Sequence, residues 1–401
     1  MSEWIDHIQT FADSFAGGTP SRSRSDFYNG TIPWISSSEV NKPYITDTLE
    51  KITQLGFENS SAKWIPKNSV LIAMYGVTAG QVSKNLIDAT SNQAVLALVP
   101  KKALIDGNFL YYQLKQNKES ILYLAQGSGQ PNLSKELIDN FKIKVPKSLS
   151  LQVQIANILS TCDFVIEKTK STLGKYQVIK QGMLQDLFTQ GIDLNTNKLR
   201  PKYGDAPEFY KKTKLGIIPK EWDEKNIGEI CTMKSGDGIT SKSIYELEDF
   251  RVYGGNGLRG FTSTYTHEGD YILIGRQGAL CGNITRVRGK FYASEHAVVV
   301  TVEKEINVDW LSHQLEVRNL NQYSEASAQP GLSVNKILKL PIAKPEFDEQ
   351  NKIAERLLTI NLKIQSEQNY IHKMQQLKSG LMADLLSGKK EVIIKEEVQN
   401  G

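Results

Sequence analysis

Five histidines, His7, His267, His296, His313 and His372, are the side chains best suited to hold a catalytic zinc ion, and they are scattered along the chain. None forms the HxxxH or HExxH spacing that places two imidazoles on one helix face. Cys162, Cys231 and Cys281 are equally far apart, with no CxxC pair. Neither a thiolate metal site nor a disulfide framework is expected, and a reducing cytoplasm suits such cysteines. No Gly-x-x-x-x-Gly-Lys-Ser/Thr loop is present to cradle a triphosphate. Gly255-Asn-Gly257-Leu-Arg-Gly260 has the formal spacing of a dinucleotide loop, which must open a helix. Here the β-prone Phe261-Thr-Ser-Thr-Tyr-Thr follows, so the spacing predicts a turn-rich loop. The Asn/Asp-Pro-Pro-aromatic string of amino-methyltransferases is missing. Asp223-Glu-Lys225 has a nuclease-like carboxylate-to-lysine spacing but stands isolated in a charged, solvated stretch. The chain holds no catalytic constellation.

Binding chemistry is better represented. Between Arg251 and Lys290 the chain carries Arg251, Arg259, Arg276, Arg286, Arg288 and Lys290 against Glu268 and Asp270. A guanidinium can fork onto guanine O6 and N7 or onto phosphate. Gly254, Gly255, Gly257, Gly260, Gly275, Gly278 and Gly282 are interleaved with them, letting backbone approach a partner closely. Asn256, Gln277 and His296 add polar readers to the same region. The first half offers Gly17-Gly18-Thr19-Pro20-Ser21-Arg22-Ser23-Arg24, then Tyr75-Gly76-Val77-Thr78-Ala79-Gly80-Gln81, then the amide pair Asn92-Gln93. Asn and Gln side chains can read adenine with two hydrogen bonds. Thr19, Ser21, Arg22, Arg24, Tyr75, Thr78, Gln81, Asn92 and Gln93 are therefore the first half's candidate DNA contacts. Their second-half counterparts are Arg251, Asn256, Arg259, Arg276, Gln277, Arg286, Arg288 and His296.

The elements that would carry these residues repeat. Gln130-Pro131-Asn132-Leu133-Ser134 returns as Gln329-Pro330-Gly331-Leu332-Ser333. Leu151-Gln152-Val-Gln-Ile155-Ala156 returns as Glu349-Gln350-Asn-Lys-Ile353-Ala354, and Lys180-Gln-Gly182-Met-Leu-Gln-Asp186-Leu187 as Lys378-Ser-Gly380-Leu-Met-Ala-Asp384-Leu385. The offset stays at 198 or 199 residues, which marks a duplication. Upstream the match loosens: Glu3-Trp4 pairs with Glu221-Trp222, and Asn92-Gln-Ala-Val95 with Glu295-His-Ala-Val298.

Ile155, Leu159, Ile166, Leu173 and Leu187, with Ile353, Leu357, Ile364, Ile371 and Leu385, fall on the 4-3 spacing of a coiled-coil seam. Pro146 and Pro345 stand just ahead of the two proline-free runs. Residues 155 to 187 would span roughly 50 Å as a helix, at about 1.5 Å per residue. Two such helices in one chain would most simply pair antiparallel.

Ahead of each helix the pattern changes. Ser69–Tyr75 and Asp270–Gly275 read as short β-prone segments ending in glycine turns, and Ala94–Val99 and Ala297–Val302 as buried strands. Asn108–Leu114 and Asp309–Leu315 read as short helices with polar N-caps. Gln190 to Lys214, rich in Asn, Lys, Pro and Thr, reads as a linker. The fold class is thus α+β: two mixed α/β domains separated by two long helices.

Bulk properties agree with two or more soluble domains. The chain has 401 residues, 40% hydrophobic and 23% charged, with a net charge of only +4. No global basic field advertises nucleic acid, so a DNA-binding reading rests on the local clusters. The polar start, Met1-Ser-Glu-Trp-Ile-Asp-His7, lacks the pattern of a signal peptide. No run of about 18 apolar residues points to a membrane span. A cytoplasmic location is the default.

In order and in duplication these features resemble the specificity subunit of type I restriction–modification systems. The likeness is carried by Gln130-Pro-Asn-Leu-Ser134 and its copy, and by both Ile-Ala helices ending in Gly-Met/Leu-Leu/Met-x-Asp-Leu. Leu215-Gly216-Ile217-Ile218-Pro219-Lys220-Glu221-Trp222, opening the second half, also carries it. It runs from Trp4 to about Gly388. The first half starts at Trp4 without a counterpart of Leu215 to Lys220, a departure from the family's pattern that leaves open which boundary would anchor a methyltransferase.

The resemblance implies target-recognition domains at 1–147 and 215–346, spacer helices at 148–190 and 347–388, a linker at 191–214 and a tail at 389–401. It implies a non-catalytic chain that reads one half of a bipartite double-stranded DNA site with each domain. Two methyltransferase subunits and the nuclease–translocase restriction subunits would dock on it. S-adenosylmethionine, ATP and magnesium would belong to those partners, with no cofactor or metal on this chain. A rod of about 50 Å exceeds one duplex turn of roughly 34–36 Å, so unread bases would separate unlike half-sites. Two other functions fit parts of the sequence: a duplicated scaffold binding only protein, which the glycine–arginine loops oppose, and a stand-alone DNA-binding decoy. A fused methylating and cleaving enzyme lacks its motifs.

Overall fold

The largely apolar runs Val70–Ala73, Val95–Pro100 and Ala297–Val302 become interior strands of their sheets. The computed structural model describes residues 3–124, 132–278, 280–324, 331–390 and 392. The chain divides into two units, residues 1–170 with 369–401, and residues 171–368.

In the first unit, β1 (Ala12–Ala16), β2 (Tyr44–Ile45), β3 (Val70–Ala73), β4 (Val82–Asn85) and β5 (Val95–Pro100) form one sheet in the order β1-β5-β3-β4-β2. Val70, Ile72, Leu96 and Leu98 face the main core, while Leu71, Ala73, Val95 and Ala97 face a second cluster with Ile35, Val40 and Ile65. Burial on both faces is why β3 reads as a continuous apolar run instead of an alternating one. The main core is closed by α1 (Gly107–Gln116), whose N-cap Asp106 accepts from the N–H groups of Asn108 and Phe109, each at 2.9 Å. The chain then enters α2 (Leu149–Thr189).

The second unit repeats this plan. Its sheet is built from β6 (Cys231–Ser235), β7 (Phe250–Gly254), β8 (Gly257–Thr262), β9 (His267–Gly275), β10 (Ile284–Ala293) and β11 (Ala297–Val302), in the order β6-β11-β9-β10-β7-β8. Its first four neighbours match β1-β5-β3-β4. Ile272, Ile274, Val298 and Val300 pack on α3 (Val308–Val317) through Trp310, Leu311 and Leu315. The chain then enters α4 (Phe347–Leu386).

The two long helices run antiparallel in both units. In the first, Asp163 of α2 bonds Lys378 of α4, and Ile155 shares a core with Leu385. In the second, Lys363 of α4 lies over the Tyr176 ring of α2 at 5.9 Å, and Leu187 shares a core with Ile353. Ile155, Leu159, Ile166, Leu187, Ile353, Leu357 and Leu385 are buried, whereas Leu173, Ile364 and Ile371 are half-buried. By length and composition α2 is apolar enough to cross a membrane, but its Leu151, Ile155, Ala156 and Leu159 lie in the first core, as in a core helix.

The repeated glutamine has a clear task. Gln152 accepts from the Asp106 N–H at 2.7 Å and donates to the Pro146 carbonyl at 2.8 Å, fastening the start of α2 to the α1 cap. Gln350 does the same with Asn307 and Pro345, both at 2.9 Å. Of the repeated Gln-Pro-x-Leu-Ser string, Gln130, Pro131, Gln329 and Pro330 lie outside the described residues.

The expected linker is corrected by the structure. Residues 191–214 are folded, with a hairpin at Ile192–Asp193 and Lys198–Leu199 and a strand at Tyr210–Thr213. Ile192, Arg200 and Tyr210 are buried. Glu349 of α4 accepts from Arg200 Nη1 and Nη2 at 2.6 and 3.0 Å, Trp222 Nε1 at 3.0 Å and the Ile192 N–H at 2.7 Å. A buried carboxylate with four donors is well compensated, and polar composition concealed that anchor.

Candidate nucleic-acid interface

Strand pairing decides which loops meet. In the first unit β1 ends at Ala16 opposite Leu96, β3 ends at Ala73 opposite Val95, and β4 starts at Val82 opposite Ile72. The segments after β1, between β3 and β4, and before β5 therefore gather at one end of the sheet. Backbone bonds tie them: Gly17 N–H to the Val95 carbonyl at 3.3 Å, Gly18 N–H to Ser91 at 2.8 Å, and Met74 N–H to Ala94 at 2.8 Å. A Cβ on Gly17 would stand 2.1 Å from the Ser91 carbonyl oxygen, so only glycine fits. The Leu133 N–H reaches the Met74 carbonyl at 2.9 Å, bringing the repeated Asn-Leu-Ser string to the same end.

This geometry collects Thr19, Tyr75, Thr78, Gln81, Asn92 and Gln93. The Thr19 hydroxyl donates to the Gln93 side-chain carbonyl. Asn92 Oδ1 accepts from the Ala94 N–H at 3.2 Å. Tyr75 is exposed, and Thr78 and Gln81 are half-buried. Ser21, Arg22 and Arg24 continue on the loop after β1, but both guanidiniums already hold carboxylates. Arg22 forks onto Glu50 at 2.5 and 3.2 Å and lies over the Tyr28 and Trp34 rings at 4.6 and 5.0 Å. Its hydrogen bond to Glu50 holds its pKa above the ordinary arginine value. Arg24 forks onto Asp26 at 2.8 and 2.6 Å.

The second unit builds the same junction. Gly236 N–H bonds the Ala297 carbonyl at 2.9 Å, Arg276 N–H that of His296 at 3.0 Å, and Leu332 N–H that of Arg276 at 3.0 Å. A Cβ on Gly236 would stand 2.2 Å from the Ala293 carbonyl oxygen. These bonds match Ala94 with His296 and Val95 with Ala297, correcting by one residue the pairing that sequence alone suggested. Arg276, Gln277, His296, Asn256 and Arg259 meet here. Arg276 Nη1 donates to Ser235 Oγ at 3.0 Å, and His296 Nδ1 lies 3.2 Å from Gln277 Oε1. Gly255 of the β7–β8 turn sits so close that a Cβ on Gly275 would be 2.2 Å from its carbonyl oxygen. The Gly255-x-Gly257-x-x-Gly260 spacing is thus a hairpin turn followed by a strand.

Three expected contacts are not gathered. Arg286 and Arg288 lie along β10 opposite Ile272 and Asp270, away from the junction. Both bind Asp309 at the start of α3, each at 2.7 Å, and Arg286 also donates to the carbonyls of Tyr271 and Val287. They fasten helix to sheet. Arg251 is exposed on β7 beside Phe291 and Phe261, at the end of that strand remote from Gly254. Proximity in sequence made one cluster of residues that strand pairing separates.

Sequence reasoning passed over Val77, Leu280, Asn283 and Ser235. The pattern Gly76-x-x-x-Gly80 against Gly278-x-x-x-Gly282, at an offset of 202, is the trace that could have found the first three. Among the described residues no group of His, Cys, Asp and Glu side chains is placed to hold a metal ion.

Comparison with known proteins places the molecule. Residues 7–181 and 219–376 match the family described as type I restriction modification DNA specificity domain. The EcoprrI type I restriction enzyme specificity subunit of Escherichia coli is 31% identical over 368 residues, covering 88% of this chain and 86% of its own. The MjaVIII specificity subunit of Methanocaldococcus jannaschii is 22% identical, covering 96% and 93%. In fold, the crystal structure of a type I restriction–modification S subunit from M. genitalium gives a TM-score of 0.66 at 18% identity, over 98% of this chain and 97% of that one.

Proposed function

Because this chain belongs to the type I restriction–modification DNA specificity family and is a specificity subunit, non-catalytic by itself, we propose that it reads a bipartite, asymmetric DNA site, one half with each unit. The observation that carries this reading is the junction built twice, on matching backbone bonds, with different side chains on it. Equal scaffolds with unequal donors and acceptors suit half-sites that differ in sequence. Thr19, Ser21, Arg22, Arg24, Tyr75, Thr78, Gln81, Asn92 and Gln93 serve one half-site, and Asn256, Arg259, Arg276, Gln277 and His296 the other.

Each long helix starts in one unit and ends in the other, so helix length sets the unread gap. Phe164, Val178, Leu362 and Leu377 leave apolar surface exposed on these helices. Two methyltransferase subunits are the partners for that surface, and restriction subunits complete the assembly on DNA. S-adenosylmethionine, ATP and magnesium reside in the partners, and the complex works in the cytoplasm.

The test is to co-express the chain with methyltransferase subunits and sequence the modified genome. One interrupted motif with two unlike halves is expected. Adding one heptad to α2 and the matching heptad to α4 should widen the gap and leave both halves unchanged. Altered halves with an unaltered gap would overturn the assignment.

A further inference from the structure

The segments joining β3 to β4 and β9 to β10 are one turn made twice. Gly80 N–H bonds the Ala73 carbonyl, Ala79 N–H that of Gly76, and Gln81 N–H that of Thr78, at 2.8, 3.1 and 2.9 Å. In the second unit Gly282 bonds Gly275, Cys281 bonds Gly278, and Asn283 bonds Leu280, at 2.8, 2.9 and 3.1 Å. Gly76, Gly80, Gly278 and Gly282 have φ of 75°, 74°, 85° and 87°, a region that favours glycine. A Cβ on Gly76 or Gly278 would touch nothing, so left-handed backbone, not crowding, selects glycine there. Each turn is anchored at its base, where Ala79 and Cys281 are buried.

Each of these turns carries an aliphatic side chain that the protein leaves to solvent. Val77 is 99% exposed, and Leu280 is 51% exposed. An amide ends each turn, Gln81 in one and Asn283 in the other, and neither side chain is hydrogen-bonded to another described residue. A turn offering one exposed aliphatic group and one amide without a side-chain hydrogen bond among the described residues matches the major-groove edge of A·T pairs. There adenine presents N7 and the N6 amino group, and thymine presents its C5-methyl. Guanine and cytosine carry no methyl for the aliphatic group to cover.

We propose that these two turns are the A·T readers of the two half-sites, with Gln81 and Asn283 on adenine and Val77 and Leu280 against thymine methyl groups. This rests on the DNA-reading function proposed above and names its substrate chemistry. In the matched turns Leu280 falls opposite Thr78, one position after Val77, so the two turns meet different base steps. That offset supports unlike half-sites from a shared frame.

The experiment pairs a deletion on the protein with a deletion on DNA. The chain is assembled with its methyltransferase subunits, and its site is mapped by sequencing the modified genome. Competition binding is then measured on duplexes in which each thymine of the site is replaced singly by uracil, which lacks only the methyl. One uracil per half-site should weaken wild-type binding about four-fold, the worth of one buried methyl. Val77→Ala should weaken binding to thymine DNA similarly and show no further loss at that one uracil, while every other replacement acts as in wild type. Leu280→Ala should repeat the pattern in the other half-site. Replacing the partner adenine by 7-deazaadenine, which lacks N7, should likewise be silent only in Gln81→Ala or Asn283→Ala. Losses in Val77→Ala that add to every uracil would overturn the proposal, as would loss of methyltransferase assembly without loss of base preference. Absence of sequence preference in the wild-type complex would instead remove the DNA-reading function beneath it.

Discussion

Tyr112 of α1 and His313 of α3 hold matching places in the two units, and each meets the long helices through a polar layer of opposite design. In the first unit the carboxylate sits on the long helix. Asp163 accepts from the Tyr112 hydroxyl at 2.8 Å and from Lys378, with Lys115 of α1 nearby and bonded to Tyr111 at 3.0 Å. In the second unit Asn361 stands where Asp163 does, 3.5 Å from His313 Nε2. The carboxylate has moved to Glu316, in the place of Lys115, where it lies 2.9 Å from His313 Nδ1 and feels the charge of Lys180. Lysines at the matching positions 180 and 378 are common to both. Duplication kept a compensated set of charges and exchanged which helix carries the negative one. Polar groups inside helix contacts fix partner and register at some cost in stability. The two layers therefore assign each short helix to its own stretch of the long pair.

The harshest way to break this comparison is Asp163→Asn, which gives the first unit the second unit's residue without its Glu316. Lys378, whose side chain is 11% exposed and whose pKa burial already depresses, would lose its carboxylate. A loss of about 2–4 kcal/mol is expected by chemical denaturation. Adding Lys115→Glu should restore about half of it, because the set then matches Glu316, Asn361 and Lys180. Simple additivity in this double-mutant cycle would refute the exchange. The reciprocal Glu316→Lys should cost only about 1 kcal/mol, since the Glu316 side chain is 40% exposed and solvent screens it. Asn361→Asp should recover it.

This layer shows what the sequence conceals. The seam positions Ile155, Leu159, Ile353 and Leu357 were legible because 4-3 spacing is local, and all four are buried. The strands around Val70–Ala73 and Ala297–Val302 were legible for the same reason. The partnership of Lys378 with Asp163, or of Arg200 with Glu349, joins residues that no local pattern relates. The candidate interface divides likewise. Glycine-rich loops announced themselves by composition, and six of the first unit's nine candidates meet at one sheet end. Arg286 and Arg288 stood with that interface in sequence, and only strand pairing and the position of Asp309 set them apart from it in space.

The gentlest probe of the comparison is pH, which should loosen the two short helices from opposite sides. Burial, and then the Asp163 charge, pushes the hydroxyl pKa of Tyr111 and Tyr112 well above 10.0. A folded value above the unfolded one means that the stabilisation is complete below pH 10 and is lost as pH rises beyond it. At about pH 10.5 the loss is about 0.8 kcal/mol for each tyrosine. Lys378, depressed from 10.5 by burial, acts in the other direction but is one group against two. The second unit has Ser312 and His313 at these places, so α3 lacks this alkaline liability, although burial pushes the Cys231 thiol of β6 up to about 12 and gives the unit another one elsewhere. Burial works to raise the Glu316 pKa, yet the His313 bond and the Lys180 charge hold it below 4.5. Its contribution is present above 4.5 and lost as pH falls through the lower folded value. Brief proteolysis at each extreme, with the cut sites mapped, should find cuts gained around α1 in alkali and around α3 in acid. Tyr112→His should remove part of the alkaline sensitivity and Glu316→Gln the acid one. Cuts gained around both short helices together at both extremes would mean that the exchanged charges do not govern how each short helix is held.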